Sequence, residues 1–212
     1  MLTAKNIKKK YGQVEVLKGV DLAINNSEIV CVVGSSGAGK STLLQVLSGA
    51  LGLNEGQGEW KSKGLDIEPN KVYLQIAIAA PYFELIEEMT AKEFLTFHSS
   101  FKGYIDSAPI DDIIGEAGLL NAADKQIRFF SSGMKQRLKL AQAIFSDVPA
   151  ILLDEPCTNL DTAGFDLYYK WIENYCKNRL VVISSNDKNE YHFCDHQINI
   201  QDYKLIKPTV YN

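Results

Sequence analysis

An α/β fold with a largely parallel central sheet is predicted by three features of the chain. Short apolar runs at residues 29–33, 151–153 and 180–183 have the length of buried strands, and their lack of polar alternation suits strands covered on both faces. Between the last two lies a helical segment on which Leu167, Trp171 and Tyr175 share one face. The first run passes through a Gly/Ser-rich turn directly into a second helical stretch, residues 43–47. Strands alternating with helices in this way specify a parallel sheet joined by crossovers.

Taken in order, residues 1–27 alternate apolar and polar positions (Val14, Val16, Leu17, Val20, Leu22, Ile24), with turn residues at Tyr11-Gly12 and Asn25-Asn26-Ser27. This predicts an antiparallel strand pair, an N-terminal β subdomain leading into the central strand. The basic cluster Lys8-Lys9-Lys10 reads as a solvated loop. After the Gly-rich turn, the helix should stop near Gly49 and Gly52, where glycine suits a C-terminal cap. Turns at Gly56-Gln57-Gly58 and at residues 61–64 should bracket a short strand at Glu59-Trp60. Residues 72–79 read as a strand that leaves the sheet before Pro81. From Thr90 the period changes: Phe94, Leu95, Phe97, His98 and Phe101 recur at helical spacing, behind a capping box at Thr90 and Glu93. Further helices are expected around residues 111–119 and 131–144, giving an inserted helical subdomain at about 83–145 within a single domain, 1–212.

Composition sets limits. With 212 residues, 46% of them hydrophobic, the chain can bury one sizeable core. A net charge of −4 argues against nucleic acid as a partner. No apolar run reaches the roughly 18 residues that a membrane span needs, and no signal peptide opens the chain, so a cytoplasmic protein is expected. The four cysteines lack paired spacing and read as reduced, small hydrophobes. His192, Cys194 and His196 would share a face if they lay on a strand, but no fourth metal ligand lies near.

Two constellations carry chemistry. The first is Gly34, Ser35, Ser36, Gly37, Ala38, Gly39, Lys40, Ser41 and Thr42, between a strand and a helix. Glycines there let successive backbone N–H groups face one anion, and the helix adds the positive end of its dipole. Lys40 can then reach the β- and γ-phosphates, and the Ser41 hydroxyl can complete a Mg²⁺ shell. The second is the apolar strand ending in Asp154 and Glu155. Asp154 suits Mg²⁺ held through water, and Glu155 suits polarising an attacking water. Between them, Ser131, Ser132, Gly133 and Met134 open a helix, a further anion-binding end.

Phosphate loop, helical insert, Ser-Ser-Gly helix start and Asp-Glu strand follow one another in the order of the ATP-binding-cassette family, and the chain resembles the nucleotide-binding subunit of a transporter. Residues 34–42 match the Walker A motif in full and residues 151–155 match Walker B with its catalytic Glu. Residues 131–134 resemble the signature Leu-Ser-Gly-Gly-Gln, with Phe130, Ser132 and Met134 departing from the usual types. Asn159-Leu160-Asp161 is similar to the D-loop, and Tyr11 stands where the family stacks an aromatic ring on adenine. The resemblance implies a phosphate-loop NTPase fold, ATP and Mg²⁺ as cofactors, and a homodimer that sandwiches two ATP molecules, each signature facing the other subunit's γ-phosphate. It also implies an integral-membrane permease on a separate chain, which would select the cargo and hold this chain at the cytoplasmic face of the membrane.

Two departures bear on turnover. The family places a Gln near the position of Ala80, touching Mg²⁺ and the attacking water, whereas Gln75 is expected to lie within the strand. The family also has a γ-phosphate-contacting His where this chain has Asn186. Asn donates a hydrogen bond but carries no charge and shuttles no proton. The expectation is therefore a slow ATPase driving transport. The alternative is a nucleotide-gated regulatory or assembly switch with negligible hydrolysis.

Overall fold

The computed structural model describes residues 1–62 and 64–204 of the 212. Strands β1 (Leu2–Tyr11), β2 (Val14–Ile24), β4 (Glu55–Ser62) and β5 (Leu65–Ile67) form an antiparallel sheet in the order β2-β1-β4-β5. A second, parallel sheet has the order β6-β7-β8-β3-β9, from β3 (Ile29–Val33), β6 (Ile76–Ala79), β7 (Ala150–Asp154), β8 (Leu180–Ser185) and β9 (His196–Asn199). Helices α1 (Lys40–Leu47), α2 (Ala91–Ser99), α3 (Ile110–Glu116), α4 (Ser132–Phe145), α5 (Thr162–Tyr175) and α6 (Lys188–Tyr191) complete the described chain.

Strand alternation divides the interior in two. Val30, Val32, Leu152 and Val182 point from the parallel sheet into a core shared with α1 and the antiparallel sheet. Cys31, Ile151, Leu153, Val181 and Ile183 point the other way, into a core shared with α2, α3, α4 and α5. Both faces are therefore covered, which is why these strands are apolar throughout. The Thr90 capping box is formed: its hydroxyl accepts from the Glu93 N–H at 3.1 Å, and Glu93 accepts in return from the Thr90 N–H at 2.9 Å. Helices α2, α3 and α4 lie in sequence between β6 and β7.

The structure differs from the sequence reading at several points. Lys8, Lys9 and Lys10 lie within β1, where Lys8 pairs with Glu55 at 2.6 Å and Lys10 with Glu15 at 3.7 Å; cross-strand carboxylates let a basic run stay in a strand. Gly56, Gln57 and Gly58 are part of β4 rather than a turn, and β4 is eight residues long. Gly56 sits at φ 97° against the Asn6 carbonyl, where a Cβ would come within 2.3 Å, so glycine here serves close strand approach. Residues 69–74 form a 3₁₀ turn, which leaves only four residues to β6. Gln75 consequently precedes β6 instead of lying within it. His192 follows α6, Cys194 lies in the connection to β9, and only His196 belongs to a strand, so the three do not share a strand face.

Candidate functional site

All strands of the five-stranded sheet run the same way, so their C-terminal ends share one edge, the edge where α/β sheets place ligands. Asp154 pairs with Ser184, and Val33 with Ser185, which puts the ends of β7, β8 and β3 side by side. The segments after these ends hold most of the residues picked out in the sequence.

From β3 the chain turns through Gly34, Ser35, Ser36, Gly37, Ala38 and Gly39 into α1. Gly37 and Gly39 are left-handed, at φ 71° and 104°. A Cβ on Gly39 would meet Val16 at 2.9 Å, so glycine is required there for space as well as for φ. No side chain caps α1, and its first-turn N–H groups at Lys40, Ser41 and Thr42 have no acceptor within the helix. Lys40 is 95% removed from solvent, with 5% exposure, and folds its ammonium back over the loop. Its Nζ donates to the Gly34 carbonyl at 2.9 Å, the Ser35 carbonyl at 3.3 Å and the Asn186 Oδ1 at 2.9 Å. Asn186, which follows β8, is thereby placed at the head of the phosphate loop. Beyond β9, Gln201 donates to the Ser35 hydroxyl at 2.7 Å and supports the loop from its other side.

Asp154 ends β7 and is buried, and its Oδ1 has no hydrogen-bond partner among the described residues. An orphan carboxylate oxygen beside a Ser-bearing helix start suits a hydrated divalent cation. The residues present therefore fit Mg²⁺. Glu155 is held at φ 45°, costly for a residue with a Cβ, by a bond from its N–H to the Ser184 carbonyl at 2.8 Å. Tyr11 lies at the tip of the β1–β2 hairpin, about half exposed, with Lys9 Nζ 5.6 Å from its ring centroid.

Ser131 caps α4 by accepting from the Met134 N–H at 3.2 Å, and Ser131 and Ser132 are exposed. No hydrogen bond among the described residues joins residues 131–134 to residues 34–42. Instead, a Cβ on Gly133 would lie 3.0 Å from the Asn159 carbonyl, so the helix start packs on the segment that follows Glu155. Asp161 of that segment caps α5, accepting from the Gly164 N–H at 2.8 Å.

Residues 17–158 match the family model described as ABC transporter. The chain belongs to the ABC transporter family. As an ABC cassette it is 35% identical over 218 residues to the lipoprotein-releasing system ATP-binding protein LolD of Porphyromonas gingivalis, covering 97% of this chain and 99% of that one. It is 34% identical over 169 residues to the maltose/maltodextrin import ATP-binding protein MalK of Aliivibrio fischeri, covering 76% of this chain and 44% of the relative. Among solved structures, the ATP-binding cassette MJ0796, a dimer in a post-hydrolysis state with ADP and Pi, superposes with a TM-score of 0.78 at 26% identity, covering 94% of this chain and 95% of that one. The parallel sheet with its phosphate loop and the flanking antiparallel sheet is thus the fold of the ABC cassettes.

Three residues of the cassette's site edge have surroundings that their sequence positions do not announce. Gln136, buried on α4, donates to the Pro156 carbonyl at 2.6 Å and clamps the signature helix to the Glu155 segment. Glu190, buried on α6, accepts from the Cys157 N–H at 2.9 Å and so joins the segment after Asn186 to the segment after Glu155. Burial raises its carboxyl above the usual range. Burial and then the charge of Asp154 push the phenol of Tyr82, three residues past β6, above its usual range. In the sequence Gln136 stands only as part of the Gln136-Arg137 pair that follows the signature-like stretch, and nothing local marks Glu190, whose partner comes from a distant element.

Proposed function

We propose that this cassette is the ATP-hydrolysing subunit of a transporter whose permease is a separate membrane protein, and that two copies close around two Mg²⁺–ATP molecules. The observation that carries the reading is the convergence at one sheet edge of Lys40, Asn186 and the orphaned Asp154, with Glu155 beside them.

In this reading the N–H groups at the start of α1 hold the β-phosphate and Lys40 exchanges its carbonyl contacts for the β- and γ-phosphates. Tyr11 stacks on adenine, an exposed ring offering its face to a base. Ser41 and Asp154 would hold Mg²⁺, which supplies neutralisation of charge on the transferring phosphoryl group. Glu155, oriented by its strained backbone, accepts a proton from the attacking water. Asn186, already hydrogen-bonded to Lys40, donates its amide N–H toward the γ-phosphate. The exposed helix start at Ser131, Ser132, Gly133 and Met134, remote from its own phosphate loop, is a donor end suited to the γ-phosphate on a second copy. Asp161 and the D-loop lie beside it and would pass closure to Glu155.

A groove of about 170 Å³ at the end of β6, lined by Ile78, Ala80, Phe83, Phe94 and Lys102, supports docking of the permease next to the phosphate edge. Phe97 and Phe101, exposed and in edge-to-face contact on α2 and just beyond it, extend the apolar surface. Among the described residues no helix is long and apolar enough to cross a membrane, so anchoring at the cytoplasmic face falls to that partner.

Asn186 and the buried, side-chain-poor Ala80 favour slow turnover, the feature shared with a nucleotide-gated switch. Steady-state phosphate release separates the two. Asn186→His should raise kcat about fivefold, the gain of about 1 kcal/mol when a charged donor replaces a neutral one in the transition state. A kcat that stays level or falls would remove Asn186 as the brake and favour the switch.

A further inference from the structure

Glu155 opens a tight turn whose backbone groups are tied from several elements. Its own N–H donates to the Ser184 carbonyl at 2.8 Å, near the end of β8. The Pro156 carbonyl accepts from Gln136 of α4 at 2.6 Å, and the Cys157 N–H donates to Glu190 Oε1 at 2.9 Å. Thr158 closes the turn by donating to the Glu155 carbonyl at 3.2 Å. Among these partners Glu190 alone lies beyond Asn186 in the chain, and it is firmly seated. Its N–H donates to the Asp187 carbonyl at 3.0 Å, and the Asp187 N–H donates to the Ser185 hydroxyl at 2.9 Å. From α5, the Tyr168 hydroxyl donates to the Glu190 carbonyl at 2.9 Å.

Packing alone does not explain a carboxyl here. Glu190 is 5% exposed, and its Oε2 has no hydrogen-bond partner among the described residues. An apolar side chain of similar volume would fill the space without leaving an oxygen unpaired. What only an acceptor supplies is the bond to Cys157.

We propose that Glu190 is a positioning residue for hydrolysis, holding the Cys157 N–H and thereby keeping Glu155 aimed at the attacking water; this rests on the reading of Glu155 as the general base. A non-glycine residue at φ 45° persists only where its surroundings over-determine it. The Ser184 bond fixes one side of Glu155, and the Glu190 bond fixes the turn two residues on. Without that acceptor the Cys157 N–H is left buried and unpaired, and the turn gains by rearranging. Glu155 can then relax toward negative φ, which swings its carboxylate off the water. Because Glu190 hangs from the segment that also carries Asn186, the base keeps register with the residue bonded to Lys40.

Phosphate release and ATP calorimetry on the purified full chain, with a melting temperature for each variant, test this. Glu190→Met, which keeps the volume and removes the acceptor, should lower kcat about tenfold, the scale of a misplaced catalytic group. ATP affinity should stay within about twofold of wild type, since no ground-state contact is lost. Glu190→Gln retains an acceptor oxygen and should stay within about threefold of the wild-type kcat. Glu190→Asp, one methylene short of Cys157, should fall with Glu190→Met, and it carries the test if the Met variant does not fold. In a Glu155→Gln background Glu190→Met should cost nothing further, because both changes act on one group. A folded Glu190→Met or Glu190→Asp chain with wild-type kcat overturns the inference and leaves the ATPase reading standing. So does an equal further loss in the Glu155→Gln background, which would mark Glu190 as merely structural. If Glu155→Gln by itself keeps the wild-type turnover, the reading of the base fails and takes this inference with it.

Discussion

Replacing Glu155 by Gln is expected to lower steady-state ATP turnover about 100-fold or more, the scale on which a positioned general base contributes. The substitution keeps size and hydrogen-bonding capacity and removes only the ability to take a proton. The backbone argument supports a specific effect. Glu155 is held at φ 45° by its N–H bond to Ser184, and Gln meets the same steric demand, so the strain and the fold carry over. ATP affinity should therefore be retained. Phosphate release measured under saturating Mg²⁺–ATP checks this, and a turnover within threefold of wild type would show that another group activates the water.

Lys40→Ala should weaken ATP binding about 10- to 100-fold, the cost of deleting a charge-assisted contact to phosphate. In the structure the ammonium is bonded to two loop carbonyls and Asn186, so its deletion also frees the loop to spread. A melting temperature recorded alongside separates lost recognition from lost fold. Calorimetric titration with ATP is the direct test, and unaltered affinity in a normally folded variant would remove phosphate binding from this loop.

Much of the site edge was legible because its residues act locally. The spacing of residues 34–42, and of Asp154 and Glu155 at a strand end, picks them out, and the structure places them between β3 and α1 and at the end of β7. Asn186 was placed by counting from β8, and its bond to Lys40 puts it beside the phosphate loop. What could not be read depends on distant partners. Three apolar residues in a row, Val72, Tyr73 and Leu74, resemble a strand, yet Pro69 starts a 3₁₀ turn that takes them up and shortens β6. Gly56 and Gly58 look like turn glycines until the Asn6 carbonyl is seen pressing on Gly56. Glu190 and Gln136 act across 33 and 20 residues of sequence, and no local pattern announces such bonds.

These buried bonds suggest how the parts of the edge move together. Gln136 fastens the start of α4 to Pro156, and Glu190 fastens Cys157 to α6, just after Asn186. A γ-phosphate that draws on Asn186 would therefore pull on the segment carrying Glu155 and, through Gln136, on the signature helix. In the proposed dimer Ser131 and Ser132, exposed at that helix start, would complete the site of the second copy.

ATP-dependent pairing of the cassette is the point on which the account turns, and light scattering of Glu155→Gln measures it directly. With Mg²⁺–ATP the variant should run at twice the monomer mass, and with ADP it should return to the monomer. Ser132→Arg in the same background, which crowds the exposed helix start, should prevent pairing without preventing ATP binding. A Glu155→Gln chain that binds ATP yet keeps the monomer mass at every nucleotide concentration would contradict the shared site.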